Sequence, residues 1–309
     1  MSKVGVITNP TSGSGRGRAW GQETLALLAA KGHQVNDLSR GSWPASYEAA
    51  MWARRHLDAL VVVGGDGMVH LGLQVCAERK LPLGIVAAGS GNDAAITLDL
   101  PIHHIPEAVE RIERGLQGEV ATIDLGKLSG GRVELPASPR YFVAVLSAGI
   151  DAAIAGYARR ITFPRGPAKY KLATLRELPR YSPYGVTVTV DGTTWTQPCT
   201  LVAVANSPVF GGGLKISPMS SVTDGMLEFV ITEALSRRDI LRMFPQLYDG
   251  SHIHDPRVRV MQARKVTISQ AVDGAPMPPA FADGELVGGE PLTIEVAPKA
   301  LHVLGARPR

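Results

Sequence analysis

Residues 60 to 93 constrain the chain most. Leu60-Val61-Val62-Val63 is a short apolar run with three β-branched residues, which reads as a strand buried on both faces of a parallel sheet. Gly64-Gly65-Asp66-Gly67 follows, and a helical pattern runs from about Met68 to Arg79. Glycine permits positive φ and lets a phosphate approach the backbone without meeting a Cβ. The N–H groups and dipole at the start of the next helix favour an anion. Leu83-Gly84-Ile85-Val86 and Ala88-Gly89-Ser90-Gly91-Asn92-Asp93 repeat the arrangement. Two such turns on adjacent strands predict a cleft at the C-terminal edge of an α/β sheet, where open folds bind ligands.

The flanking pattern extends this unit. Val4 to Thr8 reads as a strand, Asn9-Pro10-Thr11-Ser12-Gly13-Ser14-Gly15-Arg16-Gly17 as a small polar loop, and Arg18 to Lys31 as a helix. The loop suits nucleotide phosphates, although it has neither the Lys-Ser/Thr ending of a P-loop nor a GxGxxG. His33 to Leu38 (strand), Ala45 to Arg55 (helix), Ile105 to Leu116 (helix) and Glu119 to Leu125 (strand, with Asp124 at its end) complete an alternating βα order. Such an order implies parallel strands and right-handed crossovers. From Tyr141 strands dominate: 141–146, 185–190, 194–206, 226–232, 258–261, 265–269 and 292–296, with helices over 168–178 and 236–247. Val186-Thr187-Val188-Thr189-Val190 alternates as a half-buried antiparallel strand does, and Asp191-Gly192 predicts a hairpin turn. The expected fold is an α/β N-terminal domain (parallel sheet with helices on both faces) over 1–126, then a β-rich sandwich-like second domain over 127–291, with a final strand or tail over 292–309.

Composition narrows the class. Apolar residues make up 45%, enough for a substantial core, and mean hydropathy is +0.06. No apolar run approaches the length of a membrane span. Lys3 to Ile7 enters a strand at once, so no signal peptide is expected. Cys76 and Cys199 have no metal-ligand spacing and read as reduced, partly buried cytoplasmic thiols. Net charge is +4, yet Arg159 to Arg180 alone carries seven basic residues against Glu177. That stretch is either a solvated helix face or a contact for an anionic membrane surface. Nucleic acid is not expected, because no binding motif or aromatic interleaving accompanies the charge. His252 and His254 read as surface or packing residues.

Gly64-Gly65-Asp66-Gly67 and Gly89-Ser90-Gly91-Asn92-Asp93 resemble the two signature turns of the diacylglycerol kinase catalytic-domain family, which includes bacterial lipid kinases and sphingosine kinases and is related to NAD kinases. Asn9-Pro10-Thr11-Ser12-Gly13 resembles its N-terminal turn. Further matches are Ser147 to Ala152, Asn206-Ser207-Pro208, Gly211-Gly212-Gly213, Pro218, Asp224-Gly225-Met226-Leu227 and Asp283-Gly284-Glu285. The likeness runs nearly end to end. Five positions depart from it: Ser14 stands where many relatives have a basic residue, Met68 where they have threonine, Ala87 where they have proline, Ile96 where they often have arginine, and Thr223 where they often have a second acid.

The resemblance implies an ATP- and Mg2+-dependent lipid kinase acting on diacylglycerol or a similar lipid alcohol, cytoplasmic and peripherally membrane-associated, with its last strands returning to the first domain. Asn9, Pro10, Thr11, Ser12, Gly13, Gly64, Gly65, Gly67, Gly89, Ser90 and Gly91 would cradle the nucleotide, with Arg16 a candidate contact. Asp66 would act through nucleotide-bound Mg2+, or else cap the following helix. Asn92 and Asp93 would bind nucleotide, or cap theirs. Asp124 would join the acidic cluster or serve a turn. Asp283 would be the base for the lipid hydroxyl, and Glu285 would orient it or help hold metal. Asp224, with the main-chain carbonyl of Met226, would hold a structural Mg2+. An NAD kinase-like enzyme and a non-catalytic nucleotide-binding regulator are the competing readings. A lipid substrate at an anionic membrane is the expected partner, and a homodimer is carried as a further candidate.

Overall fold

The computed structural model describes residues 1–131, 141–163 and 167–308; Arg165 of the basic stretch lies outside the described residues. The first part of the chain forms β1 (Lys3–Thr8), α1 (Ser12–Gly15), α2 (Gly17–Ala30), β2 (Gln34–Asp37), α3 (Trp43–Ala53), β3 (Ala59–Gly64), α4 (Asp66–Cys76), β4 (Leu83–Ala87), α5 (Asp93–Thr97), α6 (Ile105–Leu116) and β5 (Val120–Gly130). There follow β6 (Tyr141–Phe142), β7 (Val145–Gly149), α7 (Ile150–Arg160), α8 (Pro167–Glu177), β8 (Tyr184–Val190), β9 (Thr193–Ala205), β10 (Val209–Phe210), β11 (Leu214–Lys215), β12 (Leu227–Glu233) and α9 (Arg237–Met243). The chain ends with β13 (Val258–Ala263), β14 (Lys265–Gln270), β15 (Ala280–Ala282), β16 (Glu285–Gly288) and β17 (Leu292–Leu304). No described helix is long and apolar enough to cross a membrane.

The chain divides into two compact units: Met1–Leu125 with Val222–Asp224 and Ala297–Arg309, and Gly126–Ser221 with Gly225–Val296. The linear division expected from the sequence lacks the Val222–Asp224 segment and ends the second domain at 291, whereas β17 passes into the first unit at Ala297.

In the first unit β2, β1, β3 and β4 pair side by side and parallel, with Val4 opposite Val35, Val6 opposite Val61 and Val62 opposite Ile85. The end of β17 continues the sheet, Val303 lying parallel to Leu83. Every residue of β3 is buried, as its apolar run demands. Val4, Val6, Val61, Val63 and Val86 pack with Leu28 of α2 and Ile105, Val109 and Ile112 of α6. On the other face α4 lies so close that a Cβ on Gly72 would meet Leu83 and Val62 at 2.6 and 2.9 Å. Each large aliphatic side chain so buried stabilises the fold by about 1.5–3 kcal/mol. Because the strands are parallel, the turns after β1, β3 and β4 emerge together at one sheet edge.

The second unit is antiparallel, pairing in the order β16, β15, β7, β9, β8, β14 and the start of β17, with β12 also on β9 and β13 on β12. Val186, Val188 and Val190 point into one core. On the opposite face Thr187 meets Thr196 and Thr189 meets Thr194, each hydroxyl pair at 2.8 Å, a cross-strand arrangement that stabilises a wet sheet face. Asp191 and Gly192 take φ of 45° and 90°, the left-handed pair of a type I′ hairpin. The sheet also buries a second core on its other face, where Val145, Leu201, Ala203 and Val230 pack with Met243 of α9. Three local expectations need correction. Residues 141–146 form two strands rather than one, α7 occupies Ile150–Arg160, and β15 and β16 make a hairpin over 280–288. Both cysteines are buried outright rather than partly, and burial pushes both thiols up, Cys199 to about 12.

Candidate active site

The two glycine turns touch through their backbones. A Cβ added to Gly65 would lie 2.9 Å from the Gly89 Cα. Gly64 has φ of 159°, and a Cβ there would lie 2.5 Å from the Met68 side chain. Met68, in place of the family's threonine, is buried and fills the space beneath the first turn.

Asp66 joins the turns. Its Oδ2 accepts the Asn92 amide at 2.8 Å and its Oδ1 the Ala94 amide at 3.3 Å. These are N–H groups at the start of α5, so Asp66, the first residue of α4, caps that other helix across the sheet edge. A carboxylate there is favoured by the helix dipole. Asn92 does not cap α5 with its side chain. It adopts φ 62°, and its amide closes the turn on Gly89: Oδ1 accepts the Gly89 N–H at 2.8 Å, and Nδ2 donates to the Gly89 carbonyl at 2.9 Å. Asp93 is buried at the first position of α5, while Ser90 is exposed and Gly91 half-buried.

The third turn belongs to the same edge. The Asn9 amide donates to the Val63 carbonyl at 3.0 Å. Its Oδ1 accepts from the Thr11 amide and hydroxyl, and its carbonyl accepts the Ser12 hydroxyl at 2.9 Å. Pro10 and Thr11 are exposed. Gly13, at φ 56°, sits where a Cβ would meet the Trp20 ring at 2.0 Å and the Ala88 carbonyl at 3.1 Å. Arg16 stacks its guanidinium over Trp20, 4.6 Å from the ring centroid. Trp20 in turn stacks on His103 at 5.6 Å, and His103 Nε2 lies 2.7 Å from the Gly89 carbonyl. Sequence reasoning missed Trp20 and His103, which no motif marks.

In the second unit Asp283 and Gly284 form the two-residue turn between β15 and β16, with φ of 50° and 78°. The Asp283 carboxylate accepts the Val143 amide at 3.0 Å and the Ala144 amide at 2.8 Å, so its direction is set by main chain. Glu285 pairs with Arg159 at 2.8 Å, and Arg159 also donates to the Gly284 carbonyl. Asp151, in the first turn of α7, has a buried Oδ1 without a partner. Burial raises its pKa, against opposing hydrogen bonds from Ser147 and the Ala152 amide.

Of the basic stretch, Arg159 and Arg160 end α7, Lys169, Lys171 and Arg176 lie on α8, and Arg180 lies in the turn just after it. Arg176 lies over the Tyr157 ring at 3.9 Å, while Arg160 and Lys171 are exposed. Among them Phe163 and Leu175 are 85% and 75% exposed, with Tyr170 and Leu172 partly so.

Asp124 falls inside β5, which runs on to Gly130, rather than at a strand end. Its amide donates to the Val222 carbonyl, and its Oδ1 accepts the Lys299 amide at 2.7 Å. That ties it to the Val222–Asp224 segment of its own unit. Asp224 ends that segment, and Met226 belongs to the other unit. Among the described residues no group of three or more His, Cys, Asp or Glu side chains is placed to hold a metal ion. His252 is buried, with Nε2 on the Ile216 carbonyl and its pKa lowered by burial, as a packing residue.

Residues 3–128 match the diacylglycerol kinase catalytic domain, and residues 144–305 match the YegS C-terminal NAD kinase beta sandwich-like domain. The chain is 32% identical over 311 residues to a diacylglycerol kinase of Mycobacterium tuberculosis (strain ATCC 25618 / H37Rv), covering 100% of this chain and 96% of the relative. The chain belongs to the diacylglycerol kinase family. A more distant member, from Bacillus subtilis (strain 168), is 24% identical over 273 residues, 87% of this chain and 86% of that one. The crystal structure of a diacylglycerol kinase from Bacillus anthracis str. Sterne shares the fold, with a TM-score of 0.69 at 20% identity over 98% of this chain and 96% of the other. The expected architecture, an α/β domain with a parallel sheet followed by a β-rich sandwich-like domain, is the one observed.

Proposed function

We propose that the chain is an ATP-dependent lipid kinase that phosphorylates the hydroxyl of diacylglycerol or a similar lipid alcohol. The observation that carries this reading is the contact of two glycine turns, spanned by Asp66, in a member of this family. Phosphoryl transfer needs little covalent help from protein; it needs a cradle, charge neutralisation and an oriented hydroxyl. Gly64, Gly65 and Gly89 let the two turns pack together, while half-buried Gly67 and Gly91 and exposed Ser90, with Asn9 to Gly13, would present main chain to phosphate oxygens. The Asp66 carboxylate accepts the Asn92 and Ala94 amides and stands where the two turns meet, a charged oxygen donor of the kind that would hold a water of hydrated Mg2+. Held with ATP, such an ion neutralises charge on the β- and γ-phosphates. Asp224 is the one acid of the Val222–Asp224 segment, with Thr223 beside it.

What supports the base role of Asp283 is its carboxylate, a proton acceptor whose direction the Val143 and Ala144 amides fix. Glu285 anchors the turn through Arg159. The exposed Phe163, Leu175, Arg160 and Lys171 support contact with an anionic bilayer, where the substrate resides.

The test is ATP turnover with a panel of lipid alcohols in mixed micelles, with NAD, and without acceptor. Phosphorylated diacylglycerol or a related lipid is expected. Turnover with NAD alone would move the chain to the NAD kinase branch, and binding without turnover to the regulators. In single-turnover kinetics Asp283→Asn should slow transfer about 10²-fold or more while ATP affinity holds. Lost ATP binding with unchanged chemistry would remove the base role.

A further inference from the structure

Gly89 is the point at which the second glycine turn meets the first, and its carbonyl has two donors. One is Asn92 Nδ2, from inside the turn. The other is His103 Nε2, from outside it. A carbonyl only accepts, so His103 carries its proton on Nε2. The backbone holds His103 where this is feasible. It takes φ of 57°, and its amide donates to the Ala87 carbonyl at 2.9 Å. Ile102 bridges Ala87 as well.

The imidazole is held a second time, by its face. Trp20 stacks on it with 22° between the planes. The indole also touches Gly13 of the N-terminal turn and carries Arg16 on a ring face. Arg16, Trp20 and His103 therefore form a continuous column from the N-terminal turn to Gly89. Stacked aromatics and a cation over indole each add to simple burial. Nothing else among the described contacts links Gly13 to Gly89 through side chains.

We propose that His103 and Trp20 are positioning residues for the nucleotide, a brace that sets the spacing between the N-terminal turn and the Gly89 turn. The brace acts through main chain: His103 holds the Gly89 carbonyl, and Trp20 holds both His103 and Gly13. It rests on the kinase reading, since the turns it spaces are the proposed phosphate cradle. Its weight should fall on ATP affinity more than on the chemical step, because both rings act on the main chain of the Gly13 and Gly89 turns.

The experiment compares His103→Leu, which removes the donor, with His103→Gln, which returns one at the end of a side chain of similar reach. KM for ATP is expected to rise about fivefold in His103→Leu, the effect of one lost hydrogen bond, with a smaller fall in kcat. His103→Gln should return KM toward wild type. An unchanged KM in His103→Leu, or equal KM values in the two variants, overturns the proposal. A second measurement needs no His103 variant. Tryptophan emission is titrated with ATP in the wild type and in Trp20→Phe, the difference reporting Trp20 among the chain's four tryptophans. A nucleotide-dependent change in that difference is expected, and a flat one is contrary. Wild-type protein that binds no ATP removes the kinase reading and the brace with it. Wild-type binding with an indifferent His103→Leu removes the brace alone.

Discussion

A Cβ built on Gly89 would lie 2.3 Å from the Cα of Gly65, and 3.0 Å from Asn92 Oδ1. The two turns are thus packed backbone to backbone, and neither glycine can grow without moving the other strand end. Gly89→Ala should cost about 1–3 kcal/mol of stability, as overpacking does, and weaken ATP binding by about tenfold or more. Gly41→Ala, at a position with open space, serves as the control. A thermal melt and an ATP titration check both values. Gly89→Ala that binds ATP like the control would show the contact to be dispensable.

Asp66→Asn keeps the shape of the side chain but turns one acceptor into a donor that faces an amide. The Asn92 and Ala94 N–H groups then lose a charge-assisted partner. A stability loss of about 1–3 kcal/mol is expected, together with turnover below about 1% of wild type, the scale of losing one charge-stabilising group. Circular dichroism would show whether the variant is folded. Full turnover in a folded variant would leave Asp66 a structural cap and nothing more.

Asp151 sets a pH dependence. Burial disfavours its charged form and raises its pKa above the usual 3.8. The folded chain therefore binds this proton more tightly than the unfolded chain does. The resulting stability is fully present below pH 3.8 and is lost as pH rises through the raised value. Asp151→Asn cannot ionise, so its melting temperature relative to wild type should climb from acid to neutral pH. A difference that stays constant across that range would mean that the carboxyl is solvated.

Binding to vesicles containing anionic lipid should weaken with salt, since exposed charges are screened over about 10 Å at 0.1 M. Arg160, Lys169 and Lys171 changed together to Gln should weaken it further, by about 1 kcal/mol each. Arg159 is left intact because it holds Glu285. Co-sedimentation across a salt series gives the comparison. Binding unmoved by salt and by the triple substitution would return this face to plain solvation.

Much of the fold was legible because its determinants are local. The apolar run at 60–63 can only be a doubly buried strand, and it became one. The alternation at 186–190 placed valines inward and threonines outward. Asp191-Gly192 made its hairpin because both residues tolerate positive φ. The hidden elements lack such signals. The strand at Ala280–Ala282 is too short to show a period, and α7 starts directly after Gly149 with no side-chain cap.

The sequence by itself determined the elements of the first unit, the two glycine turns and the family to which they belong. Those rest on neighbouring residues, whose conformational preferences and spacing are written along the chain. Only the tertiary structure decided what the site residues hold. It gave Asp66 the amides of Asn92 and Ala94 and turned Asn92 back onto Gly89. It also stacked Arg16, Trp20 and His103 into one column and tied Asp124 to Lys299. Each of these but the Asn92–Gly89 closure and the Arg16–Trp20 stack joins separate elements. Such a bond forms when strand order and register bring a donor to an acceptor, and that depends on how the whole sheet packs.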